Sequence, residues 1–170
     1  MFKAIPFLII ALLMATSGHS QNVKRIHRKA ILVDTHNDVL SSQILDGKDI
    51  NTFIKDGHRD LQRWRDGAMN VQFMSVWTGD KARSTAGFYH DAMEEIDSLE
   101  RVILRYHDRI ALARNMREVR KGIRQKKLVM MIGVEGGHMI ENDLNKLDVL
   151  AQRGMTYLTL TWNNSTSWAS

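Results

Sequence analysis

A histidine and an aspartate, His36 and Asp38, follow a short apolar stretch in the run Asp34-Thr35-His36-Asn37-Asp38. In an extended segment residues i and i+2 share a face, so an imidazole and a carboxylate spaced this way can reach one ion together. Nitrogen plus oxygen ligation suits zinc or a similar divalent ion. Taken alone, a His-x-Asp pair is more often chance or an ordinary hydrogen-bonded couple. A second carboxylate, Glu135, directly follows the apolar run Leu128 to Val134. An acid there is costly unless it is paired, solvated or bound to a metal. Gly136 and Gly137 behind it permit unusual torsions and close approach of the backbone to a ligand, or simply make a turn.

These groups need elements to position them. The apolar, β-branched runs Ala30 to Val33, Val71 to Trp77, Leu128 to Val134 and Thr156 to Thr161 predict four buried strands. Met93, Ile96, Leu99, Ile103, Tyr106 and Ile110 recur at steps of three and four, the apolar stripe of an amphipathic helix. Leu144, Leu147 and Leu150 repeat that spacing, and Gly154 stands where a C-cap would end the helix. Strand, helix and strand in succession, with strands apolar on both faces, predict parallel pairing in an α/β sheet covered by helices.

No Gly-x-Gly-x-x-Gly follows the first strand, which argues against a dinucleotide-binding sheet, and there is no Gly-x-Ser-x-Gly elbow. A (β/α) barrel is the best remaining parallel architecture. Its catalytic groups cluster at the C-terminal ends of strands, which is where His36, Asp38 and Glu135 fall. A closed (β/α)8 TIM barrel typically takes about 250 residues. The expectation is therefore the N-terminal half of such a barrel, truncated relative to a complete enzyme, with no helix to cover the fourth strand.

The composition, 44% apolar and 25% charged, is that of a globular protein and excludes disorder and low complexity. Lys3, the apolar run Phe7 to Ala15 and the small residues Gly18 and Ser20 read as a secretory signal peptide over 1–20, cleaved after Ser20. The alternative, a membrane anchor, would need about 20 apolar residues and the run is too short. Residues 21–170 would then be the N-terminal part of one barrel domain, exported to the periplasm or secreted, with no integral membrane span. The absence of cysteine rules out disulfides and thiolate metal sites. The net charge of +5 lies mainly in Lys24 to Lys29 and Arg114 to Lys127, where cations alternate with apolar residues as on a solvated helix face. No stacking aromatics are interleaved, so nucleic acid is not an expected partner.

Three segments carry a resemblance. Val33-Asp34-Thr35-His36-Asn37-Asp38, Gly133-Val134-Glu135-Gly136-Gly137-His138 and Gly154-Met155-Thr156-Tyr157-Leu158-Thr159-Leu160-Thr161 resemble the membrane (renal) dipeptidases in order and spacing. Gln72-Phe73-Met74-Ser75-Val76-Trp77 looks like that family's second strand, and the likeness runs from about Ile31 to Ser170. The resemblance implies a barrel of the metal-dependent hydrolase type. In it two Zn2+ ions share a bridging glutamate and activate a water against the peptide bond of a dipeptide. On that mapping His36 and Asp38 bind the first zinc, and Glu135 bridges both and shares in water activation. The family's two histidines for the second zinc would lie on later strands, and a late aspartate would lie near the reacting bond.

Where many members carry a substrate-contacting histidine this sequence has Trp162, which either packs against a substrate side chain or fills core space. His58 and His138 sit at no ligand position of the motif and are read as surface or hydrogen-bonded histidines. Asp34 either supports a ligand histidine or serves turn chemistry. A homodimer is the one protein partner left open. Two other readings compete: another metal-dependent amidohydrolase, although those usually open with His-x-His, and a non-catalytic exported pseudoenzyme or binding module.

Overall fold

The computed structural model describes residues 22–170, and the expected leader over 1–20 lies outside them. The chain divides into two compact units, Met1–Leu32 and Val33–Ser170. In the first, residues 22–29 form helix α1, with Lys24, Arg25, Arg28 and Lys29 exposed, as a solvated charged face requires. The second carries the sheet and its helices.

The remaining elements are β1 (Leu32–Asp34), a π-turn (Leu40–Ile44), α2 (Leu61–Asp66), β2 (Met69–Val76), α3 (Phe88–Arg105), β3 (Ile110–Leu112), α4 (Met116–Arg124), β4 (Leu128–Val134), a 3-10 turn (Gly137–Ile140), α5 (Leu144–Gln152) and β5 (Met155–Leu158). Strand order is β1-β2-β4-β3, with β5 also bonded to β4. β2, β3 and β5 all run parallel to β4. β2 occupies one edge of β4 from Val129 to Val134. β3 and β5 therefore share the other edge, β3 beside Leu128 to Met130 and β5 beside Ile132 to Val134. With neighbours on both edges β4 is the central strand, which is why it reads as an unbroken apolar run.

Side chains alternate across a strand, and the two faces of this sheet feed two separate cores. Met74, Val76, Met130, Ile132 and Val134 join Ala92, Ile96 and Leu99 of α3 in the larger one. Val71, Val129 and Met131 join Val119 of α4 in the smaller, with Phe73 against them. The second face carries, further along the same strands, Ser75 on β2 and Gly133 on β4, and leads to Glu135 just beyond β4. It is the face that positions the site.

The sequence predicts four strands, and the described residues hold five. The extra one is β3, because Ile110, counted on the helical stripe, begins a strand instead. α3 stops at Arg105, Tyr106 caps it, and the Ile110 N–H bonds back to the Tyr106 carbonyl at 2.9 Å before the chain turns into β3. Both residues are buried in the larger core, so the stripe gave burial correctly and conformation wrongly. α5 ends as expected: Arg153 caps it and Gly154 follows with φ +104°, the left-handed position that favours glycine.

Candidate metal centre

His36 and Asp38 lie in the loop after β1, and Glu135 follows β4, two strands away in the sheet order. His36 Nε2 stands 3.1 Å from Asp38 Oδ1 and 3.4 Å from Glu135 Oε2. One donor atom from each of the three residues falls within 4.8 Å of the others. The side chains of His36, Asp38 and Glu135 keep 43, 37 and 23% exposure, so an ion or a small molecule can reach them from solvent.

The first arm is built by a turn rather than by the pleat of a strand. β1 ends at Asp34, whose Oδ1 accepts the His36 N–H at 3.2 Å. Asn37 Oδ1 accepts the Val39 N–H at 3.1 Å, and the Asn37 carbonyl accepts the Ser75 N–H at 2.9 Å. Asn37 is buried while the residues on either side of it are not, so its burial turns His36 and Asp38 outward together. Asp34 thus serves turn chemistry, as an acceptor for the His36 backbone N–H.

The second arm continues the parallel ladder one residue past β4, with the Glu135 N–H bonded to the Val76 carbonyl at 3.0 Å. Ser75 Oγ donates to Glu135 Oε2 at 3.4 Å. Gly136 then takes φ +100°, and its N–H donates to Thr159 Oγ1 at 2.6 Å, turning the chain sharply away from the carboxylate. A Cβ at Gly136 would also collide with the His138 ring.

The donor set fits a divalent cation. One imidazole nitrogen and two carboxylates converge, and Asp38 Oδ1 is buried without a well-formed hydrogen bond although His36 Nε2 is near. A buried carboxylate oxygen left in that condition is costly, and a cation between the three donors removes the cost. A second grouping, His90, Asp91 and Glu94, also brings three donors close. There the Arg83 guanidinium already stands 3.9 Å from Glu94 Oε2, the Arg83 N–H donates to Asp91 Oδ2 at 2.7 Å, and a further cation would be repelled.

The model of the membrane dipeptidase family, peptidase family M19, matches residues 20–170. The chain belongs to this family. Human Dipeptidase 3 is 31% identical over 144 residues, covering 81% of the chain and 28% of the relative. A probable dipeptidase from Pseudomonas aeruginosa superposes with TM-score 0.69 at 18% identity, over 84% of this chain and 37% of that one. A metallopeptidase from Rhodobacter sphaeroides, solved with a phosphinate mimic of L-Ala-D-Ala, gives 0.68 at 20% identity, over 80% and 46%. The two solved structures establish likeness of fold. This dipeptidase-family chain thus spans less than half the length of the relatives it matches.

Within the dipeptidase-family frame, two tryptophans meet near the Glu135-Gly136 segment. Trp77 follows Val76, and its ring meets Trp162 edge-on at 5.1 Å between centroids. The Trp162 Cβ also lies close to Gly136, beside the acid. From β5, Tyr157 lies across Gly133, packs against Phe73 at 5.7 Å and reaches the Thr35 carbonyl at 3.4 Å. Burial, then the negative charges of Asp38 and Glu135, raises the Tyr157 phenol above its ordinary pKa. A bulge at β5 sets this up, since Met155 pairs with Ile132 and Tyr157 with Gly133. His138 is buried with Nε2 3.2 Å from the Thr78 carbonyl, and His58 is exposed, so neither joins the centre.

Sequence reasoning missed Ser75, Tyr157 and Trp77. Ser75 and Gln72 carried a usable signal, as polar residues inside an apolar strand run. Gly133 carried another, because a glycine mid-strand marks close approach of a neighbour. A Cβ at Gly133 would fall inside the Tyr157 ring. Gly133→Ala is expected to destabilise the fold by about 1–3 kcal/mol, the usual cost of overpacking, with partial recovery in Gly133→Ala/Tyr157→Ala. Urea unfolding of the pair measures this, and a silent Gly133→Ala would disprove the contact.

Proposed function

We propose that His36, Asp38 and Glu135 are the zinc ligands this chain contributes to a dipeptidase, with Glu135 bridging two ions in the whole protein. The observation that carries the reading is the convergence of the three donors on one point, with Asp38 Oδ1 lacking a hydrogen-bond partner. Nitrogen and oxygen donors with open positions are those of a catalytic zinc site. Zinc, when bound, supplies Lewis acidity to the scissile carbonyl and acidifies the attacking water.

The chain's own residues do the rest. The Val76 carbonyl and Ser75 hydroxyl hold Glu135 in place, and Asn37 aims His36 and Asp38 at it. Trp162, braced by Trp77, forms an apolar wall beside the acid, suited to a side chain of the substrate. The dipeptide mimic in the Rhodobacter relative supports a dipeptide as the substrate class. The leader-like segment over 1–20 supports export, so the reaction is assigned to the periplasm or the exterior. No helix among the described residues is long and apolar enough to cross a membrane.

Because the chain is shorter than its relatives, turnover is best tested in a protein of their full length carrying this sequence. Chelation should abolish dipeptide hydrolysis and zinc should restore it. Hydrolysis indifferent to chelation, or no zinc uptake at all, would exclude the reading.

A further inference from the structure

We propose that Ser75 is a positioning residue of the metal centre, tying its two arms together from the strand between them. The proposal rests on Glu135 being a ligand. β2 lies between β1 and β4, so a residue on it can touch both loops. Ser75 does so with different groups. Its N–H donates at 2.9 Å to the carbonyl of Asn37, the residue between His36 and Asp38, and its Oγ donates at 3.4 Å to Glu135 Oε2.

Ser75 is fully buried. A hydroxyl there costs free energy unless it is bonded, and an alanine or valine would serve packing better on a face that otherwise carries Val71, Val129 and Met131. The hydroxyl is explained by its acceptor. A carboxylate on a single arm can rotate about its terminal bond, and each rotation carries the ligand oxygen away from His36 Nε2. One hydrogen bond to Oε2 selects the rotation in which that oxygen faces the imidazole 3.4 Å away. Partners of this kind orient metal ligands, and their loss typically lowers metal affinity by about 10–100-fold.

The backbone contact survives any substitution, so the side chain can be tested alone. Zinc affinity of the chain is measured by competition with a chromophoric chelator for the parent, Ser75→Ala, Ser75→Thr, Glu135→Gln and Ser75→Ala/Glu135→Gln. Ser75→Ala should weaken binding by roughly tenfold or more, and Ser75→Thr, which keeps the hydroxyl, should restore part of it. In the Glu135→Gln background the alanine substitution should add little, because the interaction it removes is already altered. A packing defect would instead weaken both backgrounds equally, which overturns the proposal, as does parental affinity in Ser75→Ala. If Glu135→Gln alone leaves zinc affinity unchanged, the ligand reading fails, and that result is distinct from failure of the Ser75 inference.

Discussion

Glu135→Ala is expected to remove nearly all the stabilisation that zinc gives the folded chain. A ligand held by the native state alone stabilises it by about 2.7 kcal/mol when present at a hundred times its dissociation constant. For a chain of this size each kcal/mol moves the melting temperature by roughly 2–4 °C, so zinc should raise it by about 5–10 °C. Glu135 is the one donor of the three from the second arm, and without it the ion keeps only two donors, from a single loop. Since loss of an outer-shell partner alone costs about 10–100-fold, loss of the ligand should cost at least the upper figure. At the same zinc concentration the stabilisation then falls to about 0.4 kcal/mol, a rise of one or two degrees at most. Thermal unfolding with and without zinc reads this directly. A variant whose melting temperature still responds as the parent's does would show that the three donors form only a hydrogen-bonded cluster. In a protein of the relatives' full length carrying this sequence, the same substitution should abolish dipeptide turnover, because the proposed centre then has no donor from its second arm.

What the sequence could say about this centre depended on the range of the interactions involved. β4 was legible to the residue, since a central strand is apolar on both faces and needs no partner to be recognised. β2 was legible to within two residues, for a similar reason. β3 was not, because a three-residue strand leaves no periodicity and Ile110 continues the helical stripe by accident of burial. His36, Asp38 and Glu135 stood out as candidate donors because each follows an apolar run. Their meeting was not, since it depends on β2 standing between β1 and β4, a fact of topology. The reason first offered for the His36–Asp38 pair, a shared strand face, proved different in detail. The strand stops at Asp34, and the pair is brought together by the Asp34 and Asn37 side-chain turns. Neither the Ser75 hydrogen bond nor the Tyr157 ring over Gly133 could be located without the register of β4 against β2 and β5.

Behind the aromatic wall stands an acid whose titration should govern stability near neutral pH. Glu95 of α3 is fully buried, accepts the Trp77 N–H at 2.8 Å and pairs with Arg83 Nη1 at 2.6 Å. Burial pushes its pKa from 4.5 up to about 7, and the Trp77 N–H and the Arg83 charge only partly counter it. Because the folded value is raised, the folded state holds a proton that the unfolded state releases. That contribution is present in full below about pH 4.5 and is lost as pH rises through about 7, a total of about 3 kcal/mol for a shift of this size. Glu95→Gln cannot titrate and keeps an oxygen for the Trp77 N–H. The stability of the parent relative to Glu95→Gln should therefore decline across this window, measured by urea unfolding at a series of pH values; a difference that does not change with pH would contradict the buried-acid assignment. Glu95→Ala should behave differently, costing about 1–3 kcal/mol because it leaves the Trp77 N–H without its acceptor and takes one of several partners from Arg83. Arg83 also bonds the Trp77 and Asp91 carbonyls, so its side chain helps to fasten the loop between β2 and α3. Loosening it frees the backbone of Trp77, the residue that braces Trp162 beside Glu135. In the whole enzyme, a change in apparent affinity for apolar dipeptides should then accompany the loss of stability.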